Sequence, residues 1–133
     1  MTRYLLDTTF LIDYLNGADD VRRFLEAHEN DEFATTAMNY KEVAVGWRLN
    51  DAFDPAELSA AFDWLEIVAI TSEHALAASE FEAELYRSDE HTRRAVDAAT
   101  ADLLIAGVAE AEGMTVATRN IEDFDSFVPV VDY

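Results

Sequence analysis

Short apolar runs alternate with long helical stretches along this chain, and that alternation leaves few folds open to it. Tyr4-Leu5-Leu6 marks a strand over about 3–6, and a helix over about 9–16 follows it and ends at Asn16-Gly17. A second helix over about 19–29 turns Val21, Phe24 and Leu25 inward. Residues 32–36 read as a strand whose threonines cap a helix over about 38–50. Pro55 suits the first turn of a helix over about 55–65. Residues 66–70 read as a buried strand, followed by a helix over about 73–87 capped by Thr71 or Ser72. After the polar break Ser88-Asp89-Glu90-His91-Thr92, one helix over about 94–112 stops at Gly113. A strand at 114–118 and a short last strand after Pro129 complete the pattern. Such alternation predicts an α/β fold, with a mostly parallel sheet of four to five strands and helices on both faces. Ligands gather at the carboxyl ends of strands in such sheets. Asp7 and Thr118-Arg119-Asn120 are therefore expected on one rim.

The chain has 133 residues, enough for one domain over 1–133 with a single core. It has no cysteine, so no disulfide framework, which fits a reducing cytoplasm. Asp7 comes too soon for a signal peptide, and no apolar run approaches the roughly 18 residues of a membrane helix. There are 28 acidic residues against 9 basic ones, a net charge of −19, and eight of the nine are arginines. That balance is expected of a halophilic surface of haloarchaeal type, where screening lengths are only a few Å. It also suits a basic partner. It argues against broad nucleic-acid affinity, although local arginines and a metal can overrule the average.

Three acids stand out. Asp7 ends the first apolar run. Glu42 shares a helix face with Met38, Val45, Gly46 and Leu49 at about 100° per residue. Asp102 shares one with Ala95, Ala98, Ala99, Ile105, Ala106 and Ala109. Both faces read as buried, and a buried unpaired carboxylate costs several kcal/mol. The alternatives are a helix cap, an arginine pair, or a shared pocket holding a divalent cation. Asp97, about 140° around from Asp102, reads as structural or solvated. Asp13 reads as a surface or supporting group. Asn120 and Asp123 would face one point if their turn is helical. Phe124 and Phe127 read as core plugs.

These residues carry a family resemblance. Tyr4-Leu5-Leu6-Asp7-Thr8-Thr9-Phe10-Leu11-Ile12-Asp13 resembles the opening of PIN-domain ribonucleases, VapC-type toxins above all. Thr35-Thr36 leading to Glu42 is similar to their second motif. Ala101-Asp102-Leu103-Leu104-Ile105-Ala106 is similar to the third, and Thr118-Arg119-Asn120 with Asp123-Phe124 to the fourth. The resemblance spans residues 4–124. It implies a PIN-like three-layer sandwich and cleavage of RNA, such as tRNA or rRNA, with Mg²⁺ or Mn²⁺, leaving 5′-phosphate and 3′-hydroxyl ends. It also implies a small antitoxin partner and a homodimer.

Carried over, Asp7, Glu42, Asp102 and Asp123 form the acidic set, with Asn120 beside it. Asp7 and Asp102 would be the principal metal ligands, and Glu42 would act through water. Thr9 stands where the family often has Asn or Ser. Asn120 stands where many members have Asp, which leaves the fourth acidic role to Asp123. Thr8 and Arg119 are the expected substrate contacts, with Arg93, Arg94 and His91 as a second positive spot. No histidine falls in a motif, which disfavours zinc.

Other readings fit less well. A haloacid-dehalogenase phosphatase wants an acid at Thr9 and a late lysine, and Lys41 is the sole lysine. A phospho-receiver domain wants paired acids before its aspartate. A PIN-like domain that has lost catalysis and only binds RNA or protein is the main alternative.

Overall fold

A computed structural model describes residues 1–88 and 91–133. The elements follow in order: β1 (Arg3–Leu6), α1 (Thr8–Leu15), α2 (Asp19–Ala27), β2 (Glu32–Thr36), α3 (Ala37–Leu49), α4 (Pro55–Ala61) and β3 (Glu66–Val68). Then come α5 (Ser72–Arg87), α6 (Arg93–Ala98), α7 (Thr100–Glu112), β4 (Thr115–Ala117), a 3₁₀ turn at Ile121–Asp123, and β5 (Val130–Val131). The five strands form one sheet in the order β3-β2-β1-β4-β5, and every neighbouring pair is parallel.

Each face of the sheet is covered by helices, giving the expected three-layer α/β sandwich. In β1 the alternation is direct. Tyr4 and Leu6 join Phe10, Leu11, Val21, Phe24, Val43 and Phe62 on one side. Leu5 joins Ile105, Ala106, Val108 and Ala109 of α7 on the other. Fully burying a Leu or Phe is worth about 1.5–3 kcal/mol, so this central strand is fastened from both sides. Phe124 is wholly buried, and Phe127 packs on Phe81 with ring centroids 5.0 Å apart.

Four expectations change. The single helix over 94–112 breaks at Ala99, which ends α6 and caps α7 with φ −89° and ψ 4°. Ala95 and Ala98 are consequently exposed, while Ile105, Ala106 and Ala109 are buried. The face assigned to Glu42 is half solvated: Leu49 is 80% exposed and Val45 44%, whereas Asn39 and Val43 carry the buried stripe. The strand at 66–70 shortens to three residues on the sheet edge, exposed rather than buried, as edge position dictates. The helix at 55–65 ends at Ala61, although Phe62 and Leu65 still enter the core. Asp89 and Glu90 of the polar break lie outside the described residues. Among the described residues no helix is long and apolar enough to cross a membrane.

Candidate active site

The sheet reverses its winding between β1 and β4, and both strands end on the same rim. Asp7 terminates β1, and its amide donates to the Ala117 carbonyl at 3.1 Å. Its side chain is buried, and each oxygen has a donor: Thr118 Oγ1 at 2.8 Å on Oδ2 and Asn39 Nδ2 at 3.1 Å on Oδ1. Thr118 also accepts the amide of Asn120 at 2.9 Å. Burial pushes the Asp7 carboxyl up from its ordinary value, and Asp123 adds to this. The hydrogen bonds from Thr118, the Thr8 backbone and Asn39 pull the other way.

Asn39 organises the second motif. Thr36 and Asn39 form a reciprocal capping box at the start of α3, and both are fully buried. The Asn39 Nδ2 group donates to Asp7 and also to Thr8 Oγ1 at 2.9 Å. Thr8 Oγ1 in turn donates to Glu42 Oε2 at 3.1 Å. A chain of hydrogen bonds thus runs from Thr118 through Asp7, Asn39 and Thr8 to Glu42. Sequence reasoning places Thr118 on the rim without giving it a role, and passes over Asn39. The Thr36-x-x-Asn39 spacing was the available signal, and it reads on its own as a helix cap. Asn39→Ala removes the cap and strips a donor from a buried carboxylate. It is expected to cost about 2 kcal/mol, seen as a lower denaturant midpoint at unchanged slope.

Asp102 lies in the first turn of α7, where the helix dipole favours an acid. Its carboxyl is nevertheless pushed up to about 6, first by burial, then by the negative charges of Asp123, Asp7 and Glu42. All four predicted acids therefore act on one neighbourhood. Among the described residues, however, no three His, Asp or Glu side chains are grouped tightly enough to hold an ion. The donor chemistry fits a hard divalent cation, since the groups are carboxylates, and like-charge repulsion on Asp102 is what such an ion would relieve.

Other candidates are placed differently. Asn120 is exposed and tied to the site through its backbone, and it shares a shallow hollow with Arg119 and Asp123. Arg119 is already committed: its guanidinium pairs with Asp20 at 2.9 Å, Asp13 at 3.3 Å and Asp132 at 3.9 Å, and stacks on Tyr133. Tyr133 donates to Asp13 at 2.7 Å, and burial and then Asp13 push its phenol up to about 12. Asp13 thus supports the fourth motif rather than the acid cluster. Asp97 accepts from Tyr86 at 3.2 Å and is exposed. His91 lines a cavity with Asp102 and Asp123, whereas Arg93 and Arg94 are exposed at the start of α6.

The PIN domain family matches residues 4–127. No curated protein matches the chain. Among solved structures, it is similar to VapBC2 from Rickettsia felis bound to a promoter DNA fragment, at 21% identity, 99% coverage of both chains and TM-score 0.78. DNA-bound VapBC from Salmonella typhimurium gives 22% identity, 99% and 98% coverage, and TM-score 0.76. FitAcB from Neisseria gonorrhoeae gives 20%, 96% and 95%, and 0.72. At these identities the likeness concerns the fold.

Proposed function

The chain belongs to the PIN-domain family, and on that premise we propose that it is a Mg²⁺- or Mn²⁺-dependent endoribonuclease, the toxin of a type II toxin–antitoxin pair. The observation that carries the reading is that burial and then the charges of Asp123, Asp7 and Glu42 push the Asp102 carboxyl up to about 6, while one chain of hydrogen bonds joins Asp7 to Glu42 through Asn39 and Thr8. Asp7 and Asp102 would be the principal ion ligands, with Asp123, Glu42 and Asn120 completing the set. A bound ion would activate water and offset charge on the phosphodiester. The protein's own part is orientation. Thr118 and Asn39 fix the Asp7 carboxylate, and Thr8 aims Glu42, which can then orient an attacking water. Thr8 is also placed to meet a substrate phosphate, whereas Arg119 would first have to exchange three carboxylate partners. Its first role in this reading is to hold the fourth motif against α1 and α2.

The antitoxin partner is supported by likeness to structures described as a toxin–antitoxin complex from Klebsiella pneumoniae and as a member of the VapBC family of toxin–antitoxin systems from Mycobacterium tuberculosis. Exposed Ile12, Val45 and Leu49 on α1 and α3 offer apolar surface for it or for a second copy. The acidic surface supports a high-salt setting.

The deciding test is cleavage of mixed-sequence single-stranded RNA by purified protein with Mg²⁺, Mn²⁺ or EDTA. Cleavage with the ions and none with EDTA is expected. That no tightly grouped acid triad occurs among the described residues favours a second reading, a binding-only PIN module, which that assay would reveal by RNA binding without products.

A pH signature follows. Asp102 has its carboxyl raised on folding, so the native state binds its proton more readily than the unfolded chain does. Its stabilising effect is complete below about pH 4, near the unfolded value, and is lost as pH rises through about 6. The melting-temperature gain of Asp102→Asn over the unaltered protein should therefore be near zero at pH 4 and reach its maximum by pH 7. For the same reason, the rise in melting temperature on adding a fixed concentration of Mn²⁺ should shrink as pH falls below about 6.

A further inference from the structure

Beside the acid cluster lies a hollow that the reaction as described does not use. Its walls come from α6, the end of α5 and the segment after the 3₁₀ turn. It exists because the helix breaks at Ala99: α6 leaves the line of α7, and the small Ala95 and Ala99 leave the gap unfilled. Asp102 and Asp123 open onto it, whereas Asp7 and Glu42 do not line it. It therefore flanks the place where a scissile phosphate would sit.

Its character is mixed. Phe127, braced by Phe81, supplies an aromatic surface next to the aliphatic wall. Glu122 adds a third carboxylate, and His91 stands among the lining groups. At about 210 Å³ it is smaller than the ~300–1,000 Å³ pockets that hold drug-sized ligands, so it suits one ring system. A second phosphate would meet three carboxylates there and be repelled. A neutral, planar group with N–H donors would stack on Phe127 and donate to Glu122.

Resting on the ribonuclease reading, we propose that this hollow binds the unstacked nucleobase next to the cut, and favours bases carrying an exocyclic amine. Single-stranded RNA is commonly read in this way, by splayed bases on aromatic side chains. Adenine, cytosine and guanine can each donate an amino hydrogen to a carboxylate, but uracil has only a ring N–H. The pocket thus makes the enzyme selective at one flanking position.

The test uses single-stranded RNA oligonucleotides around a mapped cut, with A, C, G, U or an abasic residue at each flanking position in turn. With Mn²⁺, uracil and the abasic residue at one of the two positions should lower kcat/KM roughly tenfold to a hundredfold. Ala95→Trp, at an exposed position that lines the hollow, should bring all five substrates to the abasic rate. Glu122→Gln, also exposed, should remove most of the penalty on uracil, because an amide can donate as well as accept. A flat base profile in the unaltered protein overturns the pocket, as does an unchanged profile in both variants, while leaving the nuclease standing. No cleavage of any RNA with either ion overturns the nuclease, and the pocket with it.

Discussion

Asp7→Asn and Asp102→Asn are each expected to lower metal-dependent RNA cleavage by at least about a thousandfold, some 4 kcal/mol of barrier, without unfolding the protein. Asparagine has nearly the shape of aspartate but lacks the charge that binds an ion. At Asp7 the partners can adapt: the new amide keeps its oxygen toward Asn39 Nδ2 and turns its nitrogen toward Thr118, whose hydroxyl can rotate to accept. At Asp102 the change relieves repulsion from Asp123, Asp7 and Glu42, so the melting temperature should rise above pH 6. Single-turnover cleavage with saturating Mn²⁺, alongside thermal melts, separates the two effects. Activity within tenfold of the unaltered protein in both variants removes the mechanism.

Gly107→Ala is expected to be the most damaging single-methyl change in the scaffold. Gly107 lies in α7 where that helix crosses α5. A Cβ there would sit 2.5 Å from the His74 carbonyl oxygen and 2.9 Å from the Ala78 amide nitrogen. Both are backbone atoms, so no side chain can turn aside. The helices must separate, opening the layer that covers one face of the sheet. Overpacking of this kind costs about 1–3 kcal/mol and occasionally more. The upper end is expected, even after the roughly 1 kcal/mol that alanine gains over glycine within a helix. A melting temperature about 10 °C lower should follow. Gly46→Ala is the internal control. Nothing lies within 4 Å of its added methyl, so the same substitution in α3 should stabilise by about 0.5–1 kcal/mol. Equal effects at the two positions would show that the α5–α7 approach is not as close as described.

The sheet and its order of elements were legible because each strand is short, apolar and followed by a helical period. The rim was legible by topology, since Asp7 and Thr118 end two strands that a parallel sheet places side by side. What sequence concealed was direction. Val45 and Leu49 looked like core neighbours of Glu42, because periodicity finds an apolar stripe but not which stripe faces the sheet; Asn39 and Val43 do. The break at Ala99 was invisible because alanine is the best helix former, and nothing local announces a kink at Val96-Asp97-Ala98-Ala99. Arg119 read as a free cation because its partners Asp13, Asp20 and Asp132 lie as far as 106 positions away. Asn39 hid behind its own local role as a cap.

The bond between Thr118 and Asp7 closes a loop of 111 residues, and that span has a consequence for synthesis. β1 leaves the ribosome well before its partner across the rim, β4, has been made. A nascent or truncated chain without β4 has Asp7 but neither of the Ala117 and Thr118 contacts that seat it. Copies that stop before β4 should therefore show none of the proposed metal-dependent RNA cleavage.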